Sequence, residues 1–216
     1  MLDSGSIMQS VANVILLVLS LTVHEFAHAW MAFRLGDDTA ARAGRLTLNP
    51  IPHIDLFGTI LLPLMNAPIG WAKPVPTNVS RVRRGIKVST AELLISGVGP
   101  ISNLLLAILC AVILGSLARF VPSALENTGV LVLLNGLMRI NAALCVFNLL
   151  PIPPLDGGHV AASFMPFRWR PYWDRFATFA PFALLGLILL GGRLPFLTVP
   201  INFVYGAVRQ IAYAIA

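Results

Sequence analysis

The sequence predicts an all-α, multi-pass membrane protein, and three observations carry the prediction. Of its 216 residues 57% are hydrophobic and only 11% are charged, with a mean hydropathy of +0.82. Soluble domains carry about 25% charged residues. The apolar residues fall into long runs separated by short stretches rich in Pro, Gly and Arg. Lastly, no stretch between the runs is long enough for a sizeable soluble domain, so residues 1–216 read as a single integral-membrane domain of five to six membrane segments.

The first run, residues 7–33, holds an uncharged stretch at 11–23 and is long enough to span. The N-terminal ten residues carry Asp3 and no basic residue, unlike the basic start of a signal peptide, so this run is expected to be retained. An Arg-rich polar stretch, 34–55, follows. Residues 56–66 are apolar but too few to cross, which predicts a re-entrant or interfacial element. Residues 67–84 interleave Pro68, Gly70, Pro74 and Pro76 with Trp71, Val75 and Val79, a composition that excludes a helix and predicts a short β-ribbon, so that a re-entrant and ribbon element is expected near 56–80.

The second span is residues 91–117. The third, 130–150, contains Arg139 and stops at Pro151-Ile152-Pro153-Pro154, where a helix cannot continue. After Asp156-Gly157-Gly158 comes a basic, aromatic segment at 164–175 and two last apolar runs, 176–190 and 194–216. Cys110 and Cys145 lie inside spans and imply no disulfide framework. The net charge of +6 accompanies no nucleic-acid-binding motif. The basic residues read instead as topology signals and contacts to the lipid bilayer.

Inside the first span stands His24-Glu25-Phe26-Ala27-His28. Histidines at i and i+4 share one helical face and can bind one ion, and the Glu between them can take a proton from a water at the open coordination position. A carboxylate in an apolar run costs roughly 2.5–3.5 kcal/mol on insertion scales, so Glu25 is expected to serve a purpose. Asp156 is the expected third metal ligand. It follows a proline break at membrane depth, and irregular backbone there is tolerated where it lines a cavity or lies within protein. The alternative is that Asp156 merely caps the next segment. His53 and His159 read as neighbours of the site or interfacial histidines. If residues 56–66 do not cross, two crossings separate the histidine pair from Asp156 and both face the same side. Residues 34–87 hold eight basic residues and 164–175 hold three, against Arg119 and Arg193 in the opposite loops. That asymmetry places the N-terminus outside and the metal site toward the cytoplasm.

On these motifs the sequence resembles the site-2 protease family of intramembrane zinc metalloproteases, over residues 16–160. The likeness rests on His24–His28, on Gly99-Pro100-Ile101-Ser102-Asn103, and on the run from Asn148 to Gly157. Residues 44–50 and 70–76 are similar to those of its small bacterial members. The resemblance implies a three-helix catalytic core and one Zn2+ per chain held by His24, His28 and Asp156. It implies Glu25 as acid/base and Asn103 and Asn148 as candidates for binding substrate backbone, with interhelical hydrogen bonding as their alternative. Its substrates would be membrane proteins presenting a transmembrane helix. Many members carry a PDZ domain or CBS pair; these residues have no stretch long enough for either, so filtering of substrates would fall to the core, its loops or a separate regulatory protein. The rival readings are a metal transporter or sensor, and an inactive scaffold of the protease fold.

Overall fold

The computed structural model describes residues 4–65, 70–190 and 195–216. Helix α1 (Ser4–Leu35) leads into a one-turn α2 (Thr39–Arg42) and a loop, then a π-helical turn (Leu56–Leu61) that runs into α3 (Leu62–Leu64). Asp55 starts the π turn by accepting the backbone N–H groups of Phe57 and Gly58. Nine residues of helix rise only about 13 Å and cannot cross a bilayer. Then come α4 (Val88–Phe120), α5 (Thr128–Asn148), α6 (Asp156–Ser163), α7 (Arg170–Leu190) and α8 (Pro195–Ile215).

Among the described residues three helices are long and apolar enough to cross a membrane: α1 from Met8 to Leu35, α4 and α5. They pack on one another, and α8 packs on α4 and α5. Their interface is built from Ala107, Cys110, Ala111, Leu134, Met138, Val208 and Ala212. Small side chains let helix backbones approach where lipid supplies no hydrophobic drive. At Gly115 a Cβ would lie 2.5 Å from the Ala212 carbonyl oxygen, so only glycine permits this α4–α8 approach.

The β-ribbon expected near 56–80 is absent: no strand occurs among the described residues, and 66–69 lie outside them. Residues 70–78 instead form a single extended strap. Pro74 and Pro76 have no N–H to give to a ladder, and the remaining groups bond elsewhere. Trp71 N–H donates to Gly58 O (3.2 Å) and Lys73 N–H to His53 O (2.9 Å). The Thr59 hydroxyl donates to Trp71 O (2.7 Å), and Arg45 Nη2 donates to Lys73 O. At the far end Asp37, fully buried, accepts Asn78 N–H. Ala72 is buried against Leu17 and Leu21 of α1 and Ile140 and Leu144 of α5. The strap therefore lies across the bundle near the C-terminal third of α1.

Candidate metal centre

His24 and Gly99 each lie eleven residues from the neighbouring helix ends, Leu35 of α1 and Val88 of α4. At 1.5 Å per residue both are about 16 Å deep, so the two packed helices meet at one level. Gly99 is what allows the meeting. A Cβ there would fall 2.4 Å from His28 Nε2 and 2.7 Å from His24 Cε1. Next to it, Pro100 supplies no N–H to the Ser96 carbonyl and loosens the carbonyl ladder of this turn.

Asp156 arrives from the other side. The chain leaves α5, turns through 149–155 and starts α6 with Asp156 in its first turn. Gly157 and Gly158 let that turn press onto the preceding loop: their Cβ atoms would lie 2.4 Å from Leu149 O and 2.7 Å from Pro153 N. Helix α6 also packs on α4.

These constraints bring three donors together. His24 Nε2 is 3.0 Å from His28 Nε2 and 3.1 Å from Asp156 Oδ2, and His28 Nε2 is 3.4 Å from Asp156 Oδ1. Among the described residues this is the one group of three His, Cys, Asp or Glu side chains whose ligand atoms converge, all within 4.8 Å. Both histidines are buried.

The hydrogen bonds behind the imidazoles fix what the Nε2 atoms are. His28 Nδ1 lies 2.6 Å from the Ile95 carbonyl, which can only accept, so Nδ1 carries the proton. His24 Nδ1 lies 2.7 Å from Asn103 Oδ1, and Asn103 Nδ2 is committed to Asn141 Oδ1 (2.7 Å) and Ser20 O (3.3 Å), so here too Nδ1 donates. In the neutral rings both Nε2 atoms then present lone pairs, facing each other and a carboxylate. Asp156 Oδ2, buried, receives no hydrogen bond. Lone pairs this close repel unless a cation lies among them. Two imidazole nitrogens and a carboxylate with a fourth side open to a cavity are the donor set of a catalytic zinc site. The residues fit the ion.

Glu25 is buried beside this cluster and its Oε2 accepts the Val75 N–H of the strap (2.9 Å). His24, Glu25, His28 and Asp156 share a cavity of about 850 Å³ with the strap, Asn148, Glu92, His159, and Pro181 and Leu184 of α7. The site thus gathers the three residues that helical spacing singled out and Asp156, which the proline break pointed to. Asn148 lines the cavity and donates from Nδ2 to Leu144 O (3.0 Å). Asn103 does not line it. It is fully buried behind His24, where no substrate reaches, and takes the interhelical role. His53 is also buried and lies outside the donor cluster: Nε2 donates to Thr47 O (2.9 Å) and Nδ1 faces Arg45 Nη2 at 3.5 Å. His159 is exposed at the cavity edge, and Arg139 lies on the exposed face of α5.

A bundle of membrane-length helices with a buried His-His-Asp donor set and an adjoining glutamate defines the class of protein. Comparison with known proteins specifies it. A model described as peptidase family M50 matches residues 116–191. The protein named "Putative zinc metalloprotease YwhC" of Bacillus subtilis is 44% identical over 156 residues, covering 71% of this chain and 68% of that one. Proteins named "Putative zinc metalloprotease Rip2" are similar too. That of Mycolicibacterium smegmatis is 33% identical over 142 residues, 65% of this chain and 52% of its own length. That of Mycobacterium tuberculosis is 34% identical over 175 residues, 80% of this chain and 63% of its own. The chain matches between about half and two thirds of the length of these relatives. No solved structure matches it. The chain belongs to peptidase family M50.

Proposed function

We propose that this chain is an intramembrane zinc metalloprotease that hydrolyses peptide bonds within or near transmembrane helices of membrane-protein substrates. The observation that carries the reading is the convergence of two lone-pair Nε2 atoms and an unsatisfied carboxylate oxygen beside Glu25, at mid-depth of a membrane-length helix.

His24, His28 and Asp156 would hold the zinc ion, which when bound would supply Lewis-acid polarisation and an acidified water. The remaining steps belong to the chain. Glu25 takes the proton of the attacking water and returns it to the leaving amine. The apolar walls of the cavity, Leu21, Ile95, Leu144, Phe147 and Leu184 among them, receive substrate side chains and exclude bulk water. A substrate helix hides its carbonyls in its own hydrogen bonds and must unwind to be cut. The strap is the segment to meet the unwound backbone, because it is extended and already lies along the catalytic glutamate. Substrate entry then exchanges the Val75 N–H from Glu25 to a substrate carbonyl. Val75→Pro removes that donor, worth about 0.5–1.5 kcal/mol for a bond to a neutral carbonyl, and should lower cleavage by up to about tenfold. Full cleavage by that variant overturns the role of the strap.

The orientation follows from charge. Basic residues concentrate between α1 and α4 and around the start of α7, which supports a cytoplasmic position for the metal end and an outside N-terminus. Within these residues the membrane core and its loops are the parts that would filter substrates, with a separate regulatory protein as the alternative.

The deciding experiment is zinc quantification and cleavage of a panel of transmembrane-helix substrates by wild type and Glu25→Gln. About one zinc per chain in both, with cleavage reduced about 100-fold or more in the variant, is the expected result. A metal transporter or sensor would bind zinc and be indifferent to Glu25→Gln in cleavage, having none. Absence of zinc from the metal-replete wild type overturns the reading.

A further inference from the structure

We propose that Ser20 and Asn141 are positioning residues for the metal centre, acting through Asn103 to fix the tautomer and aim of His24. The inference rests on the metalloprotease reading. Its residues, however, touch neither the donor atoms nor the cavity.

Ser20 on α1, Asn103 on α4 and Asn141 on α5 are all fully buried at the junction of the three spanning helices. Polar groups there are costly unless satisfied, and these are satisfied in one direction only. The Ser20 hydroxyl donates to Leu16 O (2.8 Å), which leaves its oxygen as an acceptor. Asn141 Nδ2 spends one hydrogen on Ser20 Oγ (2.8 Å) and the other on Leu137 O (2.9 Å). That orients Asn141 with Oδ1 toward Asn103, whose Nδ2 donates to it at 2.7 Å and to Ser20 O at 3.3 Å. With both hydrogens spent, Asn103 can offer His24 only its carbonyl oxygen.

Each amide orientation is therefore dictated by the group behind it, and the sequence begins at backbone carbonyls that cannot change role. Flipping Asn141 would set its carbonyl against Leu137 O and its amide against that of Asn103. Flipping Asn103 would put an N–H against His24 Nδ1, move the imidazole proton to Nε2, and aim a donor at the place of the cation. The network thus holds His24 in the tautomer that binds metal. His28 gets the same result directly from the Ile95 carbonyl, so the two ligands are fixed by independent means. Outer hydrogen bonds of this kind change metal affinity about 10- to 100-fold when removed.

The test compares zinc affinity, by competition with a chromophoric chelator, and the ligand-field spectrum of the cobalt-substituted protein, for wild type, Ser20→Ala, Asn141→Leu and the double variant. Thermal midpoints are taken with and without zinc. The expected result is a zinc affinity about 10- to 100-fold weaker in each single variant. The double variant should lose less than the product of the two, since both act through one chain of bonds. The cobalt spectrum should change as well. Residues that only hold the helices together would lower the midpoint equally with and without zinc. They would leave affinity and spectrum unchanged, and that result overturns the proposal. If Asn141→Leu does not fold, Ser20→Ala, which removes a single hydroxyl, decides alone. A wild type that binds no zinc overturns the metalloprotease reading and this one with it. A wild type that binds zinc with variants that bind it equally overturns this one only.

Discussion

Gly97 and Gly99 stand two residues apart on α4 and so on nearly opposite faces of it. Their surroundings separate the cost of a methyl group from the cost to the metal. A Cβ at Gly97 meets nothing within 4 Å, while at Gly99 it lands 2.4 Å from His28 Nε2. Gly97→Ala should stabilise the helix by up to about 1 kcal/mol through backbone entropy and leave zinc binding alone. Gly99→Ala must push both imidazoles off their partners and should weaken zinc about 10- to 100-fold, a loss on the scale of the supporting hydrogen bonds. Chelator competition on the two variants checks this, and equal affinities would show that α4 can yield here. The same residue scale shows what the sequence disclosed. His24, Glu25 and His28 were legible because helical spacing alone puts them on one face, and Asp156 because a proline break at membrane depth needs a cavity. Asn103 was legible as a motif residue but not in its role, since nothing in a linear motif says whether an amide faces substrate or a ligand's far nitrogen. The Ile95 carbonyl and the Val75 N–H carry no residue-type signature at all. Ser20 and Asn141 were not singled out, because their role depends on three helices meeting at one depth.

At the scale of elements, the strap is where the sequence misled. Interleaved Pro and β-prone residues at 67–84 read as a ribbon because such a pattern excludes a helix and suggests extended chain. The extended conformation is there, but its partners are side chains and loop groups: Glu25, Arg45, His53, Gly58 and Thr59. A ladder needs successive N–H groups on one edge, and the two prolines break that series. The strap therefore depends on a few bonds, of which the buried Arg45 makes one of the strongest by charge. Arg45→Ala removes a charge-assisted bond worth about 1.5–3 kcal/mol. Amide hydrogen exchange across 71–78 should accelerate about 10- to 100-fold, while exchange in α5 stays as it was. Unchanged exchange in the strap would mean that Glu25 and Asp37 hold it without Arg45. The break between α5 and α6 was read more fully, because Pro151–Pro154 leaves no helical alternative. What the sequence could not supply was the reason for two glycines after Asp156, which lies in the backbone of Leu149 and Pro153 that they touch.

At the scale of the molecule, which helices are long enough to span was legible. The helical turns at 56–64 are too short to cross, while α1, α4 and α5 are long and apolar enough to do so. The packing of α8 against α4 and α5 was not legible, since an apolar run gives length but not neighbours. The three candidate donors sit on α1 and in the first turn of α6, with Asp156 lying 132 residues from His24 and 128 from His28 in the chain. A bound ion would therefore tie α1 directly to the start of α6, and it would bind only the folded arrangement. Zinc at one hundred times its dissociation constant should stabilise the fold by about 2.7 kcal/mol. For a chain of this length that is a rise in Tm of roughly 5–10 °C. Glu25→Gln leaves the three donors in place and should keep the rise, whereas Asp156→Ala breaks the tie and should lose most of it. Thermal unfolding in detergent with and without zinc measures all three. A rise of equal size in Asp156→Ala would place the stabilising zinc elsewhere, and a loss in Glu25→Gln would make the glutamate a ligand rather than the base.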